Sequence, residues 1–390
     1  MRKYLALVLL FFVADGVTGQ SFKDRFSSRG YLKDMRVVAI ADDVNGKTTT
    51  MQQNLIHHRY NTRFQLDTAW TLGVELRNRL FYGEFLKSAP GYGDLLEMDN
   101  GVVDMSWSWI NAPNFVAHST IDRAWVNYSK GNWEGRIGRQ RINWGQNIVW
   151  NPNDLFNVLN FADFDYEERP GSDAVKVQRY FKKQRSLQVA YKFTTDPDQA
   201  VAAAMYKFNT HNYDIQFLAG QYHRDIAVGL GWAGNIKSSG FKGESTLFQP
   251  MNDTSETVVL TSVSWDMSFA NGTYVLVSGL HNSQGSSGNV TELLALSGAG
   301  AGGQLDLKNL MPNQWSAFAQ VSGSFNPLLS GNIAAIGAID IGGLFLMPSL
   351  AYSVRQNLDM SLVGQSFFGI NDNKILALSN AIFLRFKWSY

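Results

Sequence analysis

From Leu55 to Leu66 the chain alternates: His57, Arg59, Asn61, Arg63 and Gln65 are polar, while Ile56, Tyr60, Phe64 and Leu66 are apolar or aromatic, with His58 and Thr62 as exceptions. A period of two with one polar face predicts a strand that is wet on one side. After Asp67-Thr68-Ala69 the pattern resumes, with Leu72, Val74, Leu76 and Leu80 on one face and Glu75, Arg77 and Arg79 on the other. One such hairpin also fits a half-buried soluble sheet. The last segment narrows the choice. Ile382, Leu384, Phe386, Trp388 and Tyr390 form an unbroken apolar stripe, alternating with Arg385, Lys387 and Ser389. As an open edge this stripe would invite aggregation, so it is expected to close against the first strand.

The same alternation predicts strands near 29–39, 52–66, 70–83, 118–129, 134–145, 173–181, 186–195, 201–210 and 213–224. It continues near 226–236, 239–249, 256–269, 272–284, 314–326, 329–341, 347–356, 359–369 and 380–390. The joints after the second, fourth, sixth, eighth, tenth and twelfth strands are short, whereas 84–117, 146–172 and 285–313 follow odd strands. Tight turns at one end and long loops at the other are the build of an outer-membrane barrel. The expected fold is all-β: a single closed antiparallel transmembrane β-barrel of about 18 strands, with long extracellular loops and both termini in the periplasm.

Composition agrees. Charged residues make up 17% of the chain and aromatics 13%, with 35 Gly. A lipid-facing wall has no use for charge and uses Trp and Tyr at its margins. The opening residues have a basic start at Arg2 and Lys3, an apolar run Leu5 to Val13 and small residues at Val17-Thr18-Gly19, so residues 1–19 are expected to be a signal peptide and 20–390 the barrel. The apolar run is too short to span a bilayer. With no Cys there is no lipidation site after the signal, no disulfide framework and no thiolate metal site. The net charge of +1 says nothing about partners, because the positions of the charges decide.

The stretch Glu134 to Asp173 breaks the regularity. It starts as a strand, turns at Gly145 and runs on through Asn151-Pro152 and Pro170-Gly171, with Trp150, Phe156, Phe161 and Tyr166 to bury. The fifth strand needs a bulge near Gly138, since Arg136 and Arg139 cannot otherwise both face water. Gly138-Arg139-Gln140, then Trp144-Gly145, then Asn151-Pro152-x-Asp154 resembles a pattern shared by porin-like outer-membrane barrels, among them the alginate-export type. With the run Phe164 to Val175 added, the stretch is most similar to uncharacterised barrel proteins of the Bacteroidota, over Arg136 to Gln178. The resemblance implies a fold and a transport class, and no particular solute.

Strand parity sends bases inward along one wall: Arg59, Arg63, Arg77, Arg79, Arg123, Arg139, Arg141, Lys176 and Lys192. Glu75 is the clearest acid on those faces. Other acids gather in the loop after Trp144, namely Asp154, Asp163, Asp165, Glu167, Glu168 and Asp173. Residues 146–172 are therefore expected to fold inward as a constriction. Rings of charge select ions by sign, and the same acids could instead pin the loop to the arginines; the sequence leaves both open. The expected function is a porin-like outer-membrane channel for small polar or anionic solutes, with a non-conducting barrel subunit of a larger assembly as the alternative.

Catalysis is not expected. No Gly-x-Ser-x-Gly elbow and no His-x-x-x-His pair occurs, and His57 and His58 are adjacent in a strand and so face opposite sides. The Gly298 to Gly303 run lacks the setting of a phosphate loop, and Val290 to Leu296 has helical character that suits a loop helix. No cofactor or metal is expected. The expected partners are outer-membrane lipid, the barrel-assembly machinery during biogenesis and other outer-membrane proteins, with no nucleic acid.

Overall fold

In the computed structural model, residues 22–42, 48–99, 101–157, 171–252, 256–285, 306–371 and 374–390 are described. The signal segment 1–19, Asp163, Asp165, Glu167 and Glu168, the Val290 to Leu296 helix and the Gly298 to Gly303 run lie outside them. A short helix α1 (Phe22–Arg25) leads into β1 (Phe26–Asp42), β2 (Thr48–Gln65) and β3 (Trp70–Gly83). Two short helices, α2 (Glu84–Ser88) and α3 (Tyr92–Glu97), precede β4 (Ser106–Ala112), β5 (Phe115–Lys130) and β6 (Trp133–Gln140). Then come β7 (Ser172–Phe181), β8 (Arg185–Lys192), β9 (Val201–Thr210), β10 (Tyr213–Tyr222), β11 (Asp225–Ile236), β12 (Ser239–Pro250) and β13 (Val258–Ser268). The wall is completed by β14 (Tyr274–Asn282), β15 (Trp315–Asn326), β16 (Leu329–Ala338), β17 (Gly343–Arg355), β18 (Leu358–Asn371) and β19 (Lys374–Ser389).

All pairings are antiparallel, and β1 pairs with both β2 and β19, so the sheet closes on itself. Eighteen strands go round the barrel. The remaining strand, β4, pairs only with β5, beside residues 115–120, on the edge whose other half β5 gives to β6 through 124–130. It fills a gap. At 8 residues, β6 falls short of the about 9–11 that a transmembrane strand needs, and β4 supplies the outer half of the wall there.

Side chains alternate across the wall. On β11, Asp225 and Ala227 are buried while Ile226, Val228 and Leu230 are exposed at 49%, 51% and 39%. The registers carry one inward row round the whole barrel, from Ala227 opposite Phe248 to Arg385 opposite Met35 and Met35 opposite Leu55. Apolar residues therefore face lipid, and the buried row faces the lumen. This is the wall of an outer-membrane barrel. Aromatics mark its margin, with Trp70 against Tyr128 at 4.7 Å and Trp388 against Tyr390 at 5.3 Å.

The end that carries both termini has uniformly short joints. At one of them, His211 (φ 48°) and Asn212 (φ 62°) are both left-handed, which is the primed turn that matches strand twist. The other end is mixed: β10 and β11 meet through His223-Arg224 alone, while long inserts follow β3, β6 and β14. The fifth predicted strand, 134–145, stops at Gln140. Beyond it the amides of Ile142 and Trp144 bond to Asn157 Oδ1 (2.9 Å) and Asp154 Oδ1 (3.3 Å) rather than to a neighbouring strand.

Candidate functional site: the lumen and its inserted segments

Residues 141–157 leave the wall and cross the lumen to the far side. Their aromatics make a core there. Trp144 meets Phe156 edge-on at 5.0 Å, and Trp150 meets Phe318 of β15 at 6.4 Å. Ile142, Val149 and Leu155 join them in a cluster with Leu218, Phe248, Leu260 and Leu276 of the wall. Because a buried irregular backbone must have its polar groups satisfied, inward polar side chains meet it at each step. Gln216 Nε2 donates to Trp144 O (2.7 Å), Ser262 Oγ to Trp150 O (3.0 Å) and Thr246 Oγ1 to Pro152 O (2.9 Å). Trp144 Nε1 donates to Gln188 Oε1 at 2.8 Å.

Glu244 is the centre of this attachment. Its buried carboxylate accepts the backbone amides of Gln146, Asn147 (2.5 Å) and Asn153 (2.9 Å). Glu244 lies outside the set of residues expected from the sequence to line the lumen. It is one of three inward acids on β11 to β13, with Asp225 and Asp266, and the one whose carboxylate meets backbone amides of the crossing segment.

A second insert lies nearer the closure of the barrel. Leu86 of α2 and Tyr92 and Leu96 of α3 pack on Met35, Leu55, Phe81 and Val116, the inward residues of β1, β2, β3 and β5. Ser106 Oγ and His118 Nε2 hold its exit at 2.7 Å. A third insert, 306–313, is held by Asn282 Nδ2 donating to Lys308 O (3.2 Å) and by the Lys308–Asp225 ion pair at 2.7 Å.

Between the inserts, the inward face from β19 to β8 carries several of the expected arginines and lysines beside strand acids. Arg59 is 1% exposed and bridges Glu75 (2.7 Å) and Asp122 (2.5 Å). Arg77 reaches Asp122 at 2.8 Å, and Arg123 reaches Glu75 at 3.2 Å. Asp122 and Arg123 both turn inward because β5 bulges opposite Glu75 and Leu76. Arg79 contacts His118 Nδ1 at 3.3 Å, Lys176 lies 3.6 Å from Glu134, Arg63 is exposed, and Lys192 is opposite Ala174 in the inward row. Parity also places Lys33, Arg136, Arg385 and Lys387 on this face, and Lys33 and Lys387 lie over the same Tyr31 ring at 4.8 and 4.9 Å.

Four of the expected site residues serve elsewhere. Arg139 does not line the lumen. Its register opposite Ala124 puts it in the outward row, and Gly138 at φ 114° turns the backbone there. It is 6% exposed and bonds Asp173 (2.7 Å), Asp99 (2.6 Å) and Val103 O (2.7 Å). Asp173 belongs to β7, not to a constriction loop, and also accepts the amides of Val102 (2.7 Å) and Val103 (3.3 Å). This knot seals the seam where β6 ends and β4 takes over. Arg141 lies on the crossing segment past the end of β6, not on a strand. Asp154 is fully buried and accepts the Trp144 amide. Among the described residues no group of three or more His, Cys, Asp or Glu side chains could hold a metal ion.

No protein-family model and no curated protein matches the sequence. Solved structures match in fold. Pseudomonas aeruginosa OccK8 (OprE) aligns with TM-score 0.55 at 11% identity, over 93% of this chain and 98% of that one. Acinetobacter baumannii OccAB4 aligns at 0.57 and 9%, over 94% and 98%, and OccAB3 of the same organism at 0.57 and 11%, over 93% and 99%. These identities speak for architecture alone, and with the closed sheet they show that the chain has the fold of the eighteen-stranded outer-membrane porins.

Proposed function

We propose that the protein is a porin-like channel through which small polar or anionic solutes diffuse across the outer membrane, past a basic wall and a constriction formed by 146–172. The observation that carries this reading is the sign of the inward face from β19 to β8. Arg77, Arg79, Arg123, Arg136, Lys176 and Lys192 outnumber Glu75, Asp122 and Glu134 there, and Lys33, Arg385 and Lys387 add to them. A low-dielectric wall focuses such a field on the water between. In this reading the likeness to alginate-export and Bacteroidota barrels holds as well, residues 1–19 direct export, and the assembly machinery inserts the chain.

Planar-bilayer recording under a salt gradient tests it. The channel should prefer anions, and Arg79→Gln with Lys387→Gln should move the reversal potential toward zero. Cation preference in the unaltered protein would refute the reading. A non-conducting scaffold is the second reading, favoured by the packing of Trp144, Trp150 and Phe156 across the lumen. It predicts no unitary current at all.

A further inference from the structure

The outer face is apolar over most of its circumference, and one arc departs from this. On β1, Asp34 and Arg36 point outward, between Leu32 on one side and Val38 and Ile40 on the other. Phe386 and Leu384 of β19 lie beside them in register, so both charges stand within the lipid-facing band and not at its margin. Their side chains are 42% and 66% exposed, and their separation of 3.9 Å is too long for a hydrogen bond.

The polar character continues along the same face. Asn54 lies opposite Arg36 on β2. A chain of side-chain bonds then crosses four strands: Tyr390 OH to His58 (2.8 Å), His58 to Asn78 (3.1 Å), Asn78 to Ser119 (2.6 Å) and Ser119 to Trp109 Nε1 (2.8 Å). Trp109 stands 70% exposed at its end. Hydrocarbon can satisfy neither an ammonium-like group nor a carboxylate, so exposure of this arc to lipid is unfavourable.

We propose that the outward face of β1, β2, β3 and β5 is the contact surface of a two-fold dimer of this chain in the membrane. The choice of a second copy rests on charge complementarity. The arc carries an acid and a base side by side, with amides and hydroxyls around them, and so is the complement of its own image under a two-fold rotation. A ring of copies would need a second, different polar patch on each barrel. Among the described residues the outer face offers no second acid–base pair within the lipid-facing band; across β12 to β14 it carries only the neutral pair Ser245 and Thr261, 2.9 Å apart, with His281 in register beside them. Lys130, Arg179 and Arg185 sit beside the tight turns, and Arg139 and Asp173 are buried against each other. Burial between two barrels lets Arg36 of each copy reach Asp34 of the other while lipid is excluded from both.

The chain has no Cys, so single cysteines report contacts directly. Ile56 faces outward at the middle of the arc, and Val228 faces lipid on β11 away from it. In outer membranes treated with a membrane-permeant oxidant, Ile56→Cys should give a disulfide-linked species of twice the chain mass, and Val228→Cys should not. In mild detergent, Asp34→Leu with Arg36→Leu should halve the particle mass while the barrel stays heat-modifiable on gels. Absence of the Ile56→Cys adduct, equal adducts from both positions, or an adduct of any other mass would overturn the proposal. The first result would leave the arc to lipid, and the last would assign it to a different protein.

Discussion

Replacing Glu244 tests how the crossing segment is held in the lumen. The carboxylate accepts three backbone amides, those of Gln146, Asn147 and Asn153, and is itself fully buried. Alanine removes every acceptor at once. A buried donor left without a partner costs about 1–3 kcal/mol, so three come to about 3–9 kcal/mol as an upper range. Water from the lumen can replace part of the loss, which sets the expected effect near the lower bound of about 3 kcal/mol. That corresponds to about a hundredfold in an opening equilibrium. Hydrogen exchange read by mass spectrometry over 146–153 should therefore accelerate about a hundredfold in Glu244→Ala. Glu244→Gln, which keeps one neutral acceptor, should fall between. The wall pairs through its own ladders, so exchange in β15 to β18 should not change. Unaltered exchange over 146–153 in Glu244→Ala would refute the reasoning and show that the aromatic core alone holds the segment.

Two further predictions concern other joints. Arg139→Gln strands the buried Asp99 and Asp173 and should destabilise the seam by about 3–5 kcal/mol. Arg139→Lys should recover only part, because one ammonium cannot serve two carboxylates and a carbonyl; full recovery of the heat-modification temperature by Lys would contradict this. Outside the wall, in the joint between β16 and β17, burial pushes the Asp340 carboxyl up, but bonds from Asn313 and the Trp315 and Gln314 amides outweigh it and hold the group below 3.8. A carboxylate depressed on folding contributes stability that is full above its unfolded value and is lost as pH falls through the folded one. The melting-temperature gap between the unaltered chain and Asp340→Asn should therefore be full at neutral pH and close only below about pH 4; a gap that persists in strong acid would contradict it.

The wall was legible because lipid on one side and a wet or filled lumen on the other impose the same period of two on every strand. That logic misled at Gln140. Arg141-Ile142-Asn143-Trp144 keep the alternation although they have left the sheet, since Ile142 and Trp144 are buried at 2% and 1% in the lumen core. What separates a wall strand from a crossing segment is the partner of its backbone, and those partners, Asn157, Asp154 and Glu244, are side chains that no local pattern reveals. Strand β4 was lost for a related reason. Ser106-Trp107-Ser108-Trp109 alternates, but it lies inside what loop length marked as one long connection. Parity placed Arg59, Arg77, Arg79 and Arg123 on the strand faces that the registers turn inward. The bulge at Asp122 moved an acid onto those faces, so Arg59, Arg77 and Arg123 share Glu75 and Asp122 within the wall, and their partners in the structure are these strand acids.

The seam between β1 and β19 carries a consequence for the order of assembly. Tyr390 exchanges backbone bonds with Gly30 at 2.9 and 3.0 Å, and its ring occupies the space that a side chain at Gly30 would need. Every other pairing in the wall joins strands adjacent in sequence or separated only by β4. Each can form soon after its residues arrive, with little loop entropy to overcome. Closure of β1 on β19 is different, since it brings together the first and last strands of the sheet and cannot begin until β19 has been made. Translation can thus deliver eighteen strands without committing the molecule to a barrel. The growing sheet keeps two open edges until β19 arrives, and a chain lacking that strand would remain an unclosed sheet rather than become a smaller pore.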